Sequence, residues 1–395
     1  MSRIVFAPDS FKGTVSAADA ATALARGWRV VRADDDVVLR PMADGGEGTI
    51  DAFAAAVPGA ERRSVTVRGP LSAPVQAEWL LLPGDQPAAV VELASTSGIT
   101  LLDPLAPLDA HTAGFGEAIA AALDHGVDRL LLALGGSASS DGGTGALSAL
   151  GARFLDASGQ PVPLGNRGLA SLASVDLSGL RALPSGGAVI LGDVTNPLLG
   201  PLGAAAVFGP QKGADAAAVE VLEANLSRLA AVAGRGASDA PPAGRGASDA
   251  PLAGRGASGA RVSRPLDLAA APGAGAAGGA GFGLLLWGAE MGGGAALIAS
   301  TVGLDEAIAG ADLVITGEGR FDGQSEAGKA PTVVAELARG AGVPTALVAG
   351  AITAEPRGFA ASVALADLAG SGAAAMAEPL RWLEAAGADL ARSRG

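Results

Sequence analysis

The chain contains no cysteine and no tyrosine, and its only histidines are His111 and His125. Without cysteine there are no disulfides, and cysteine usage gives no indication of redox compartment. Zinc sites built from Cys and His are all but excluded. Aromatic residues make up 3% of the chain and the formal net charge is −13. A nucleic-acid binder needs a basic footprint and, for single strands, stacking rings, so nucleic acid is not an expected partner. Long apolar runs are missing as well. A membrane span needs about 20 consecutive apolar residues, and the weakly polar tract Ala274–Ala299 is interrupted by glycines and by Glu290. No basic segment followed by an apolar run opens the chain, so no signal peptide, no membrane partner and a cytoplasmic location are expected. Any catalysis must rest on Asp, Glu, Lys, Arg, hydroxyl groups and backbone amides.

A chain of 395 residues exceeds one ordinary core and predicts two domains. Apolar stretches alternate with helical ones. The segments 4–7, 37–41, 65–67, 78–82, 89–92, 129–134, 188–191, 313–316 and 345–348 predict strands. The segments 17–26, 49–56, 115–125, 332–339 and 376–391 predict helices, with Ser16 and Asp19 as an N-terminal cap pair. Strand–loop–helix alternation points to an α/β fold with parallel sheets. The hexapeptide Ala-Gly-Arg-Gly-Ala-Ser starts at Ala233, Ala243 and Ala253. It has too little bulky apolar content to offset the entropy of ordering, so residues 233–261 read as a flexible surface insertion.

Polar residues fall at one end of the strands. The loops after Ala7, Met42, Leu134, Leu191 and Ile315 are rich in Gly, Asp, Ser or Glu. In open α/β sheets ligands bind outside the carboxyl ends of the strands, where helix N-termini offer amides to anions. Phosphoryl transfer needs carboxylates for a metal, donors for phosphates and a group that positions the acceptor. The carboxylate candidates are Asp9, Asp44, Glu47, Asp141, Asp193, Glu318 and Asp322. The donor candidates are Lys12, Lys212, Arg320, Lys329 and the glycine-rich turns.

Two local signals mislead. The run Gly323–Lys329 matches the first seven positions of a phosphate-binding loop, but Ala330 replaces the metal-binding hydroxyl residue and the strand ends several residues earlier. Gly135-Gly136-Ser137 is not a dinucleotide fingerprint, and none follows the first strand, which disfavours an NAD-dependent oxidoreductase. His125 closes a helix, where a basic group favours the dipole. His111 lies in a Pro-rich loop without an evident partner.

Seven runs occur in a fixed order across nearly the whole chain: residues 7–13 (Ala-Pro-Asp-Ser-Phe-Lys-Gly), 43–49 (Ala-Asp-Gly-Gly-Glu-Gly-Thr), 135–143, 193–198 (Asp-Val-Thr-Asn-Pro-Leu), 208–214, 272–279 and 315–325. They resemble the signature blocks of the glycerate kinase type I family. Phe115 and Ser140 depart from the residues common there, and the repeat is not part of the pattern. The resemblance implies a discontinuous Rossmann- or flavodoxin-like α/β domain from residues 1–66 and 296–395. A second α/β domain, 67–295, is inserted into it, with the active site in the cleft between them. It also implies ATP, Mg²⁺ and D-glycerate, with 2-phosphoglycerate rather than 3-phosphoglycerate as product. Oligomeric state stays open, a homodimer included.

On that basis Asp193, Lys12 and Asp44 are the catalytic candidates, with Asp193 as base or acceptor-positioning group. Asp9, Ser10, Glu47, Arg320 and Asn196 are assigned to the substrate. Gly136, Ser137, Ser140, Asp141, Gly142, Lys212 and Lys329 are assigned to the nucleotide, and Asp44, Asp193 and Glu318 to the metal. A kinase of another small hydroxy acid and a non-catalytic ligand-binding regulator of the same fold remain as alternatives.

Overall fold

The computed structural model describes residues 1–11, 13–236, 265–322 and 329–394. Among the described residues thirteen strands run in chain order: β1 (Arg3–Pro8), β2 (Asp36–Leu39), β3 (Glu61–Arg68), β4 (Pro74–Leu82), β5 (Ala88–Glu92), β6 (Arg129–Ala133), β7 (Arg153–Leu155), β8 (Ser174–Asp176), β9 (Ala188–Leu191), β10 (Glu290–Gly292), β11 (Leu313–Phe321), β12 (Thr345–Ile352) and β13 (Ala361–Ala364). One sheet has five parallel strands in the order β13-β12-β11-β1-β2. Counted within the sheet this is the doubly wound 2-1-3-4-5 order, whose switch point lies between β1 and β11. The other has six strands in the order β10-β9-β6-β5-β4-β3. It is parallel from β10 to β5 and antiparallel from β5 to β3. Strands β7 and β8 form a separate antiparallel pair. The α/β reading of the sequence therefore holds.

Side chains alternate along each strand, and the buried residues follow that period. In β1, Ile4 and Phe6 join an outer core, while Val5 and Ala7 join a middle one. In β6, Leu131 and Ala133 enter the same middle core, while Leu130 and Leu132 face the opposite outer core. The result is five layers, α/β/α/β/α. The middle layer holds the helices Thr49–Ala56, Gly294–Thr301, Leu304–Ile308 and Ala330–Gly340. Each large aliphatic or aromatic side chain buried there stabilises the fold by roughly 1.5–3 kcal/mol. Both sheets thus share one core. Boundaries drawn at 66/67 and 295/296 fall inside two elements, β3 and the helix Gly294–Thr301.

The outer face of the five-stranded sheet carries the helices Ala17–Val31 and Pro379–Arg392. They cross in close backbone contact. A Cβ at Gly27 would overlap the Glu384 carbonyl, and one at Gly387 would overlap the Leu24 carbonyl. The capping expectation is met, since Ser16 Oγ accepts from the Asp19 amide at 3.1 Å.

Several boundaries differ from those read in the sequence. The helix expected at 376–391 is broken into Gly372–Ala377 and Pro379–Arg392, because Pro379 opens the second. Residues 233–236, read as the start of a flexible insertion, complete the helix Ala216–Gly236, and Ala233 is buried in the outer core. The rest of the repeat lies outside the described residues. Among the described residues, no helix is long and apolar enough to cross a membrane.

Candidate active site

The carboxyl end of β1 delivers Asp9 and Ser10 to the switch point. The Asp9 amide donates to the Gly317 carbonyl at 2.8 Å, and Asp9 Oδ1 accepts from the Ser10 amide at 2.6 Å. Strand β11 does not end at Thr316 as the glycines suggest. Its register with β12 continues through Glu318↔Ala349 and Arg320↔Ala351 to Phe321↔Ile352, because pairing supplies the hydrogen bonds that a loop would have to find elsewhere. Period-2 alternation puts Glu318 and Arg320 on one face. There they line a cavity of about 390 Å³ together with Asp9, Ser10, Asp44 and Lys329. Lys329 Nζ lies 3.8 Å from Glu318 and 3.9 Å from Asp322. Lys12 and residues 323–328 lie outside the described residues.

Asp44 and Asp193 meet at a junction of backbones. The Gly135 amide donates to the Gly45 carbonyl at 3.0 Å. A Cβ at Gly45, which has φ +87, would overlap the Leu191 carbonyl, and one at Gly135 would overlap Gly46 Cα. Glycine alone lets the loops after β2, β6 and β9 approach this closely. Asp44 Oδ1 accepts from the Gly46 amide at 3.1 Å. Asp193 Oδ1 accepts from the Gly294 amide at 2.9 Å and so caps the helix Gly294–Thr301, while Asp193 Oδ2 is buried with no hydrogen-bond partner. Burial pushes the Asp193 carboxyl above the ordinary aspartate range and the neighbouring Asp44 adds to this, against the pull of the Ala295 and Gly294 amides.

The matching family model is described as the glycerate kinase family and covers residues 4–394. The chain belongs to the glycerate kinase family. It is 41% identical over 355 residues to a glycerate kinase of Bacillus subtilis strain 168, covering 89% of this chain and 85% of that one. It is 39% identical to a glycerate 2-kinase of Escherichia coli K12, covering 89% and 86%. A crystal structure of a candidate glycerate kinase 2 from Salmonella typhimurium LT2 superposes with a TM-score of 0.80 at 36% identity, covering 99% of this chain and 98% of that one. Membership makes the chain a kinase with an alcohol acceptor and ATP as its phosphate donor.

Within this glycerate kinase family member the Gly136–Gly142 loop is tied to its neighbours by several buried hydrogen bonds. Asp141 has no exposed surface. Its Oδ2 accepts from the Thr112 amide, Thr112 Oγ1 and the Gly145 amide, and its Oδ1 accepts from the Gly143 amide. Lys212, also buried, donates to Ser137 Oγ at 2.7 Å and to the Ser139 carbonyl. Burial brings its ammonium down to about 7, opposed by Asp141. The Gly142 amide donates to the Gly278 carbonyl, and a Cβ at Gly142 would overlap Leu229. The Gly136 carbonyl accepts from the Ile99 amide and the Ser140 carbonyl from Asn166 Nδ2. The nucleotide assignments of Gly136, Ser137, Ser140, Asp141, Gly142 and Lys212 stay proposals, with Asp141 and Lys212 already engaged inside the protein. Asp141 and Lys212 thus hold the loop against its neighbours, while Ser139 Oγ and Ser140 Oγ are buried without a hydrogen-bond partner. Asn196 likewise donates to the Leu202 carbonyl at 2.8 Å and braces its own loop.

Glu92, at the end of β5, was not among the residues that the sequence singles out. It is buried, accepts from the Ile50 amide at 3.2 Å, and is pushed up to about 7, mainly by burial. It lines a second cavity, of about 620 Å³, with Glu47, Asp51 and Glu78. Arg62 in that cavity is already paired with Asp51 at 2.6 Å and Glu78 at 3.2 Å. Ser10 and Thr14 line both cavities. His111 is held by Ser72 Oγ at 2.8 Å, and His125 stacks edge-on against Trp79.

Proposed function

We propose that this chain transfers the γ-phosphoryl group of ATP, as its Mg²⁺ complex, to the 2-hydroxyl of D-glycerate, giving 2-phosphoglycerate. The observation that carries the reading is the Asp44–Asp193 pair at the glycine-lined junction, of which Asp44 lines a cavity with Arg320 and Lys329 while Asp193 is buried behind it. The choice of the 2-hydroxyl leans on the name of the Escherichia coli relative.

Mg²⁺ fits these residues. It takes oxygen ligands, commonly one or two carboxylates completed by substrate phosphates and water. Asp44 and Asp193 are close enough for one charge to raise the other's pKa, a repulsion that a divalent cation offsets. Asp44 would hold the ion, which would supply positive charge against the donor's phosphates. The remaining work falls to the chain. Asp193 Oδ2, buried and without a partner, accepts the proton of the acceptor hydroxyl as its oxygen bonds to the γ-phosphorus. The bond from that phosphorus to the β-bridging oxygen breaks and ADP leaves. Arg320 and Lys329 offset the negative charge of the carboxylate and the transferred group. Asp193 is oriented by its second oxygen, which is fixed on the Gly294 amide.

Coupling to enolase separates the two products, because enolase dehydrates 2-phosphoglycerate and not 3-phosphoglycerate. The proposal expects signal from D-glycerate, MgATP and enolase alone. A signal that appears only when a phosphoglycerate mutase is added would overturn the regiochemistry.

A further inference from the structure

Building on the kinase reading, we infer that the base and ribose of the phosphate donor dock on the apolar wall of the switch-point cavity, formed by Phe11, Leu365, Ala375, Met376 and Pro379. The cavity of about 390 Å³ is lined by two chemically different sets of residues. One carries the carboxylates, Arg320 and Lys329. The other is formed by these five apolar residues, of which Phe11, Leu365 and Ala375 are buried while Met376 is 63% exposed. Glycerate is a three-carbon hydroxy acid with polar groups on every carbon, so it has nothing to place on that wall. A nucleoside triphosphate has a base with a flat, largely apolar face and a polyanionic tail that suits Arg320 and Lys329. The volume lies within the roughly 300–1,000 Å³ of small-molecule pockets. A methionine side chain adapts readily to a ring.

The competing locations are weaker. The cavity of about 620 Å³ is lined by Glu47, Asp51, Glu78 and Glu92 with Arg62 as its one lining cation among the described residues, whereas the switch-point cavity presents both Arg320 and Lys329. In the glycine-rich loop 136–142 the Asp141 carboxylate is engaged by backbone amides and the nearby Lys212 by Ser137. The apolar wall also stands beside the β1/β11 switch point, where doubly wound sheets of this strand order take their ligands.

Two exposed positions test the wall without touching the core. Gly372 lines the cavity, and a Cβ there meets nothing within 4 Å, so Gly372→Phe introduces a ring beside the wall without a backbone clash. Met376→Glu places a carboxylate on the wall itself. Isothermal titration calorimetry with the non-hydrolysable analogue AMP-PNP and Mg²⁺ gives affinity without turnover, and inorganic tripolyphosphate probes the phosphate end alone. Both variants are expected to bind AMP-PNP at least tenfold more weakly than wild type, with tripolyphosphate affinity, the KM for glycerate and the melting temperature unchanged. Wild-type AMP-PNP affinity in both variants, in a preparation that turns over, would overturn the docking site and leave the kinase reading intact. Absence of AMP-PNP binding and of turnover in the wild-type protein would overturn both.

Discussion

Replacing Asp193 with Asn separates chemistry from architecture. The Asn carbonyl oxygen keeps the 2.9 Å bond from the Gly294 amide, so the cap of the helix Gly294–Thr301 survives. The Asn amide then takes the place of Oδ2, which has no partner in the folded protein. One unpartnered buried polar group replaces another, and a carboxylate already raised by burial and by Asp44 is removed. The net change in stability should stay within about 1 kcal/mol. Loss of a general base lowers kcat by about 10²–10⁴, or roughly 3–5.5 kcal/mol of transition-state stabilisation. The wild-type rate should also fall as pH drops through the raised Asp193 pKa, because only the ionised carboxylate accepts the proton. That acid limb should vanish in the variant. ADP release measured across pH, together with thermal unfolding of both proteins, checks all three statements. A variant with kcat within tenfold of wild type would refute the role of Asp193, and a collapsed melting temperature would show that the residue is chiefly structural.

Other positions give independent tests. Glu92 is raised from 4.5 to about 7 in the folded state, so its contribution to stability is full below about pH 4.5 and is lost as pH rises through 7; Glu92→Gln should flatten that window and be the more stable protein above it, and parallel urea-unfolding profiles would contradict this. Asp141→Ala orphans the Thr112 amide and hydroxyl and the Gly143 and Gly145 amides. At about 1–3 kcal/mol for each, the sum approaches the whole stability of a domain, so little soluble folded protein is expected; a well-folded variant with weakened nucleotide binding would instead support a direct nucleotide role. Gly135→Ala forces a Cβ into Gly46 Cα, a backbone contact with no flexible side chain to yield. It should lower kcat at least tenfold while far-ultraviolet circular dichroism stays unchanged, and wild-type kinetics would mean that the junction can open without consequence.

The strand ends were legible because parallel strands place their loops on one side, and short Asp- and Gly-rich turns mark those ends in the sequence. Asp9, Asp44, Glu318 and Arg320 were found this way, and the structure gathers them around one cavity. The Gly136–Gly142 loop shows the limit of that reasoning. Its composition is that of a phosphate cradle, but the partners that hold Asp141 and Ser137, namely Thr112 and Lys212, are distant in sequence and could not be read from it. Glu92 was missed for a related reason. It closes an apolar strand, and its partner amide belongs to Ile50, 42 residues away. The length of β11 was equally hidden, because Gly317 and Gly319 look like a turn until the register with β12 is known.

Phosphorus-31 NMR of the purified protein with D-glycerate, ATP and Mg²⁺, each omitted in turn, tests the central claim most directly. The account predicts a phosphomonoester resonance that requires all three components, with the coupling to a single proton expected of a 2-phosphate. A spectrum in which ATP persists unchanged with every component present would contradict it.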